Sequence, residues 1–102
     1  MASTIDELTV SYFEEGVETI KELDKEVLTK GAWTTIMFRC QNWSNKLQDY
    51  GPVYFSVRRY QKKNGEYKAR SKFNISNVGQ AEKIIAVLQR WIEAGKEQKV
   101  EE

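Results

Sequence analysis

Residues 53–75, VYFSVRRYQKKNGEYKARSKFNI, decide the architecture. The first part, 53–61, is an aromatic and β-branched run without Gly or Pro, and 66–75 alternates cleanly as a return strand. Asn64-Gly65 between them is the strongest hairpin signal in the chain, because both residues tolerate the positive φ of a tight type I′ turn. Upstream, residues 33–43, WTTIMFRCQNW, form a comparable strand, joined to the hairpin through a connection holding Tyr50, Gly51 and Pro52. Downstream, residues 78–94 carry Val78, Ala81, Ile85, Leu88 and Ile92 on one helical stripe, widened by Ile84, Val87 and Trp91. Asn77 with Gln80 resembles a capping box, with Ser76 as the rival cap, and Gly95 is a natural stop before a short polar tail.

The N-terminal third reads less directly. Residues 1–16 are acidic, with Leu8, Val10 and Tyr12 in alternation, which suits a strand or an arm. In residues 17–29, VETIKELDKEVLT, the stripe Val17, Ile20, Leu23 and Val27 predicts a helix from periodicity alone.

Composition bounds the function. The chain has 102 residues, 40% apolar and 30% charged, enough for one soluble domain with one modest core. No apolar run approaches the ~20 residues of a membrane span, and MASTIDELTV lacks the features of a signal peptide. The single Cys40 excludes an intramolecular disulfide framework and a multi-cysteine zinc site, and it falls on a core-facing parity. With no histidine, the commonest general base and metal ligand is missing. The expectation is a non-enzyme without cofactor or metal.

Charge is strongly divided although the net charge is only +1. Residues 1–28 sum to −6, and residues 54–74, with Arg58, Arg59, Lys62, Lys63, Lys68, Arg70 and Lys72 against Glu66, sum to +6. Such a concentrated basic segment points to an anionic partner. Splitting each strand by alternation gives mainly apolar faces, which the helix can cover. The remaining faces combine Trp33, Met37, Arg39, Gln41 and Trp43 with Tyr54, Arg58, Tyr60 and Lys62, and with Lys68, Arg70 and Lys72. Cations for phosphates and flat rings for unstacked bases are what single-stranded nucleic acid requires, so these residues form the candidate site. Arg59 falls on the apolar side by the same parity, to snorkel or pair with an acid. The alternative for Trp33 and Trp43 is packing under the acidic N-terminal segment or at a subunit interface.

Several segments together resemble a known family. Ile20, Glu22 and Leu23 precede a turn. Trp33 opens a strand that closes on Trp43. Tyr54-Phe55-Ser56-Val57-Arg58-Arg59-Tyr60 is similar to an aspartate-isoleucine-arginine-x-aromatic strand, and Arg70-Ser71-Lys72-Phe73-Asn74-Ile75-Ser76 to a basic strand entering a capped helix. This order, over residues 17–95, resembles the positive-cofactor-four-like (transcriptional coactivator) single-stranded DNA-binding proteins, especially their short bacterial members. The resemblance implies an α+β fold of four antiparallel strands and a C-terminal helix, paired into a homodimer through the helices. It turns residues 19–29 into the first strand, against their periodicity. Residues 1–16 become an acidic arm, 17–95 the binding domain and 96–102 a tail.

The implied function is sequence-independent binding of single-stranded DNA, or of RNA, in transcription, replication or repair. The implied setting is a bacterial cytoplasm with nucleoid association, or a nucleus, with no membrane partner. Ser56 departs from the family's aspartate, and its Pro-Gly turn is absent before Arg70. The alternative from another class is a protein-interaction module whose basic face docks an acidic partner.

Overall fold

The computed structural model describes residues 3–98. A 3-10 turn (Ile5–Glu7) is followed by β1 (Tyr12–Glu14), β2 (Val17–Thr29), β3 (Trp33–Ser44), β4 (Asp49–Tyr50), β5 (Tyr54–Lys63), β6 (Glu66–Ile75) and α1 (Val78–Gln98). The strands form one antiparallel sheet in the order β1-β2-β3-β5-β6, with β4 paired to the end of β3. The architecture is α+β, as expected. The sheet has six strands rather than four, the two extra ones being short. At the β5–β6 turn, Asn64 (φ 54°) and Gly65 (φ 79°) both occupy the left-handed region, which is why this dipeptide closes the hairpin.

The helix that periodicity predicts over 17–29 is a strand, and its bulges explain the misleading pattern. The register pairs Glu22 with Cys40 and Asp24 with Arg39, leaving Leu23 as an extra residue, and a second irregularity falls at Leu28. An inserted residue reverses the alternation, so Ile20 and Val27, seven apart, reach the same face. Apolar spacing of three and four along a bulged strand imitates a helical stripe.

The core lies on one face of the sheet, here called the inner face. Ile36, Phe38, Cys40 and Tyr60 are buried there beneath Leu8 and Val10, with Ile20, Val27, Tyr54 and Tyr67 at the margin. The cover is therefore the N-terminal segment and not the helix. Lys25 fastens it: its ammonium donates to the carbonyls of Ile5 (2.8 Å), Asp6 (3.3 Å) and Leu8 (2.6 Å). Thr9 donates to the Glu22 carboxylate, and Glu7 closes the turn by accepting from the Ser3 (2.7 Å) and Thr4 (3.2 Å) backbone N–H groups. These backbone bonds hold the Glu7 carboxyl below its ordinary pKa. The acidic arm thus supplies two core side chains to the domain it precedes.

α1 begins where the sequence places it. Asn77 Oδ1 accepts from the Gln80 N–H (2.7 Å), and Gln80 reaches back to the Ser76 N–H (2.7 Å), so Asn77 is the cap. The helix continues through Gly95 to Gln98, past the expected stop. The rest of the expected tail, 99–102, lies outside the described residues. α1 leans on β6 through a shallow groove between Phe73 and Ile84, Val87, Leu88 and Trp91. Ile85, Leu88, Trp91 and Ile92 remain at least half exposed. No helix among the described residues is long and apolar enough to cross a membrane.

Candidate nucleic-acid interface

Register, rather than parity within one strand, decides which candidates share a face. β3 and β5 pair Thr34 with Tyr60, Ile36 with Arg58, Phe38 with Ser56 and Cys40 with Tyr54. Tyr54, Arg58 and Tyr60 therefore stand on the inner face beside the core, opposite in facing to Trp33, Met37, Arg39, Gln41 and Trp43. This corrects the single mixed face expected from the sequence. Both sheet faces are partly apolar. Met37, Val57 and Phe73 form a cross-strand row on the outer face, so hydrophobicity alone could not say which side of β5 meets the core.

A further bulge divides the basic strand. The register passes from Arg59–Ser71 to Tyr60–Ala69, leaving Arg70 unpaired. Lys72 and Arg58 are directly opposed on the inner face, whereas Lys68 faces Gln61 on the outer face. Arg70 Nε donates to Gln61 Oε1 (3.0 Å), which brings its guanidinium to the outer side as well.

Two cationic groups result, one on each side of the β5–β6 hairpin. On the inner side, Arg58 Nε donates to Ser56 Oγ (2.9 Å), and the Ser56 hydroxyl donates to Asn74 Oδ1 (2.7 Å). Ser56 is wholly buried, so this relay fixes the guanidinium at the rim of the core. Arg58 and Lys72 border an open depression of about 220 Å³ whose lining also includes Ala69 and the bulge segment Arg70-Ser71, which crosses between the two faces. On the outer side, Trp33 is 41% exposed and the Arg59 guanidinium lies over its ring, 4.4 Å from the centroid. Gln61, Lys68 and Arg70 continue this surface. At the hairpin end, the Lys62 ammonium lies 5.4 Å from the Tyr67 ring centroid.

The other candidates are elsewhere. Tyr60 is only 5% exposed and is a core residue, so its ring offers no open stacking face. Burial, opposed by the Arg58 charge, pushes its phenol pKa up. Burial likewise raises the Cys40 thiol and the half-buried Tyr54 phenol, whose OH donates to Asn42 Oδ1 (2.8 Å). Met37 lies in the apolar row, and Gln41 Nε2 donates to the Gly51 carbonyl (2.9 Å). Arg39 faces Asp24 on the acidic strand. Trp43 stands edge-on to Tyr50 at the far end of β3.

Sequence reasoning missed Arg59, Gln61 and Tyr67, which complete the hairpin surface. Recognising Arg59 and Gln61 needed the β3–β5 register, which the long 45–53 connection leaves unspecified, and recognising Tyr67 needed the bulge between β5 and β6. Among the described residues no group of three or more His, Cys, Asp or Glu side chains gathers as metal ligands would. No family model, curated protein or solved structure matches the chain.

Proposed function

We propose that the protein binds single-stranded DNA, non-catalytically and with little sequence preference, along the β5–β6 hairpin. The observation that carries this reading is the concentration of cations on both sides of that hairpin, with Trp33 and Tyr67 each already covered by a cationic side chain. Phosphates would engage Arg58 and Lys72 on one side and Lys68 and Arg70 on the other. A base would stack on Trp33 by displacing the Arg59 guanidinium, exchanging one π contact for another. The acidic β1–β2 half of the sheet repels the strand and confines its path to the hairpin.

The reading includes a homodimer through α1, whose exposed Ile85, Leu88, Trp91 and Ile92 form a surface suited to a second helix. Leu88→Glu should halve the mass measured by light scattering if the helices pair.

Titration of protein fluorescence with single-stranded oligo-dT and with a duplex of equal length tests the binding. Saturable quenching by oligo-dT is expected, with log affinity falling linearly in log salt and weaker binding of the duplex. Absence of quenching and of any mobility shift at low salt would refute it. Transfer of RNA and DNA of one sequence through the same titration would reveal any preference between them.

A further inference from the structure

We infer that a cleft at the acidic edge of the sheet receives the basic hairpin tip of a second copy, giving a head-to-tail contact distinct from the helix pairing. The cleft has a volume of about 530 Å³ and is lined chiefly by Tyr12, Phe13, Glu14, Glu15 and Trp43. Tyr12 (55% exposed) and Phe13 (62% exposed) lie on a three-residue strand that packs neither ring away. The indole N–H of Trp43 donates to Asn45 Oδ1 (2.9 Å), so this side chain offers its ring rather than a donor. Carboxylates of Glu14 and Glu15 flank the opening, splayed by a turn in which Glu15 (φ 49°) and Gly16 (φ 83°) are both left-handed.

Aromatic faces beside carboxylates recognise a cation carried on an apolar stem: the rings take the methylenes and the π attraction, the acids take the charge. The Tyr50 ring, which packs edge-on to Trp43, already makes the π contact internally, with the Lys21 ammonium 4.9 Å from its centroid. The cleft is too large for one ammonium group and suits a protruding turn with two lysine side chains.

The chain contains such a turn. Lys62 and Lys63 are exposed beside Asn64 and Gly65 at the end of the hairpin; among the described residues neither ammonium is hydrogen-bonded, and that of Lys62 rests only over the exposed edge of the hairpin at Tyr67, a contact it can exchange for the aromatic rings of the cleft. The hairpin forms one end of the strand order and the cleft the other, so a copy cannot fill its own cleft. A second copy can, and the opposite charges of the two sequence blocks (−6 and +6) favour that orientation. The contact is heterologous. Each copy keeps one unused cleft or hairpin, so assembly proceeds to a ring or an open chain.

Charge exchange tests the contact in the full chain. One variant carries Glu14→Lys with Glu15→Lys, the other Lys62→Glu with Lys63→Glu. Sedimentation velocity of the wild type at low salt should show species larger than any helix-paired dimer, lost near ~1 M salt where charge attraction is screened. Each variant alone should associate about tenfold more weakly or worse, and an equimolar mixture should recover association because each swapped surface then meets its complement. Wild type without salt-sensitive association, a variant that associates like wild type, or a mixture that fails to recover overturns the inference. Circular dichroism checks folding. Should a swapped chain not fold, Glu14→Gln with Glu15→Gln gives the second reading: association weakens if the contact exists, and unchanged association refutes it.

Discussion

Arg58 stands directly across the β5–β6 ladder from Lys72, on the sheet face that also carries the core. Like charges directly opposed on neighbouring strands are destabilising. Arg58 cannot swing away without breaking its bond to Ser56. A phosphate between the two cations would remove the repulsion. Lys72→Ala should therefore leave the free protein as stable as before or slightly more so. It should also lower the salt slope of oligo-dT binding by about 0.7, the value of one lost phosphate contact on a single strand. Urea denaturation and a salt titration measure the two effects. Lost stability with an unchanged slope would show that Lys72 serves the fold and not the ligand.

Trp33 and Trp43 end the same strand on the same face, yet only Trp33 adjoins the cationic hairpin. Trp33→Ala should weaken oligo-dT binding by about 1–3 kcal/mol, the usual worth of a stacked base, with little change in salt slope. Trp43→Ala should leave that affinity unchanged, since its ring packs on Tyr50 at the acidic end. Equal losses from both substitutions, measured by anisotropy of a labelled oligonucleotide, would extend the DNA path across the whole of β3.

Alkaline pH should destabilise the protein. Burial raises the Cys40 thiol above its ordinary 9.0 and the Tyr54 and Tyr60 phenols above 10.0. Between those values and the raised ones, the unfolded chain has released protons that the folded chain retains, so stability falls as pH rises. It is fully present below about pH 9 and declines from there through pH 10 and above. Urea midpoints at pH 8, 9.5 and 10.5 should show the decline, and Tyr60→Phe should make it shallower. An identical profile in Tyr60→Phe would mean that this phenol is not the group responsible.

The hairpin, the β3 strand and the capped helix were legible because each is written in local chemistry: Asn64-Gly65, the run from Trp33 to Trp43, and Asn77 with Gln80. The failures share one physical cause. Side-chain alternation specifies faces only until an extra residue intervenes, and Leu23 and Arg70 are such residues. The first made a strand look helical. The second sent Lys68 and Lys72 to opposite faces despite their even spacing. The placement of Arg58 and Tyr60 failed for a different reason. Two partly apolar faces give β5 no hydrophobic signal for its orientation, and that choice is settled by what lies over the inner face.

What lies over it is Leu8, and this residue decides how the acidic N-terminus should be understood. From charge alone, residues 1–15 could fold across a binding face and compete with DNA, so that deleting them would tighten binding. Leu8 and Val10 are instead 6% and 4% exposed, packed against Ile36, Phe38, Cys40 and Tyr60. Removing the segment would bare that apolar surface to water and leave the Lys25 ammonium without its three carbonyl acceptors. Leu8→Ala should destabilise the fold by about 2–5 kcal/mol, as buried leucine truncations do. That is a large share of the ~5–15 kcal/mol that stabilises a small domain. Asp6→Asn, Glu7→Gln, Glu14→Gln and Glu15→Gln together remove the same segment's carboxylate charge without touching the apolar contacts of Leu8 and Val10. The two changes separate core from competitor: Leu8→Ala should shift the urea midpoint far down, and the charge-neutral variant should leave DNA affinity almost unaltered. A stable Leu8→Ala protein, or a charge-neutral variant that binds DNA much more tightly at low salt, would restore the segment to a removable acidic arm.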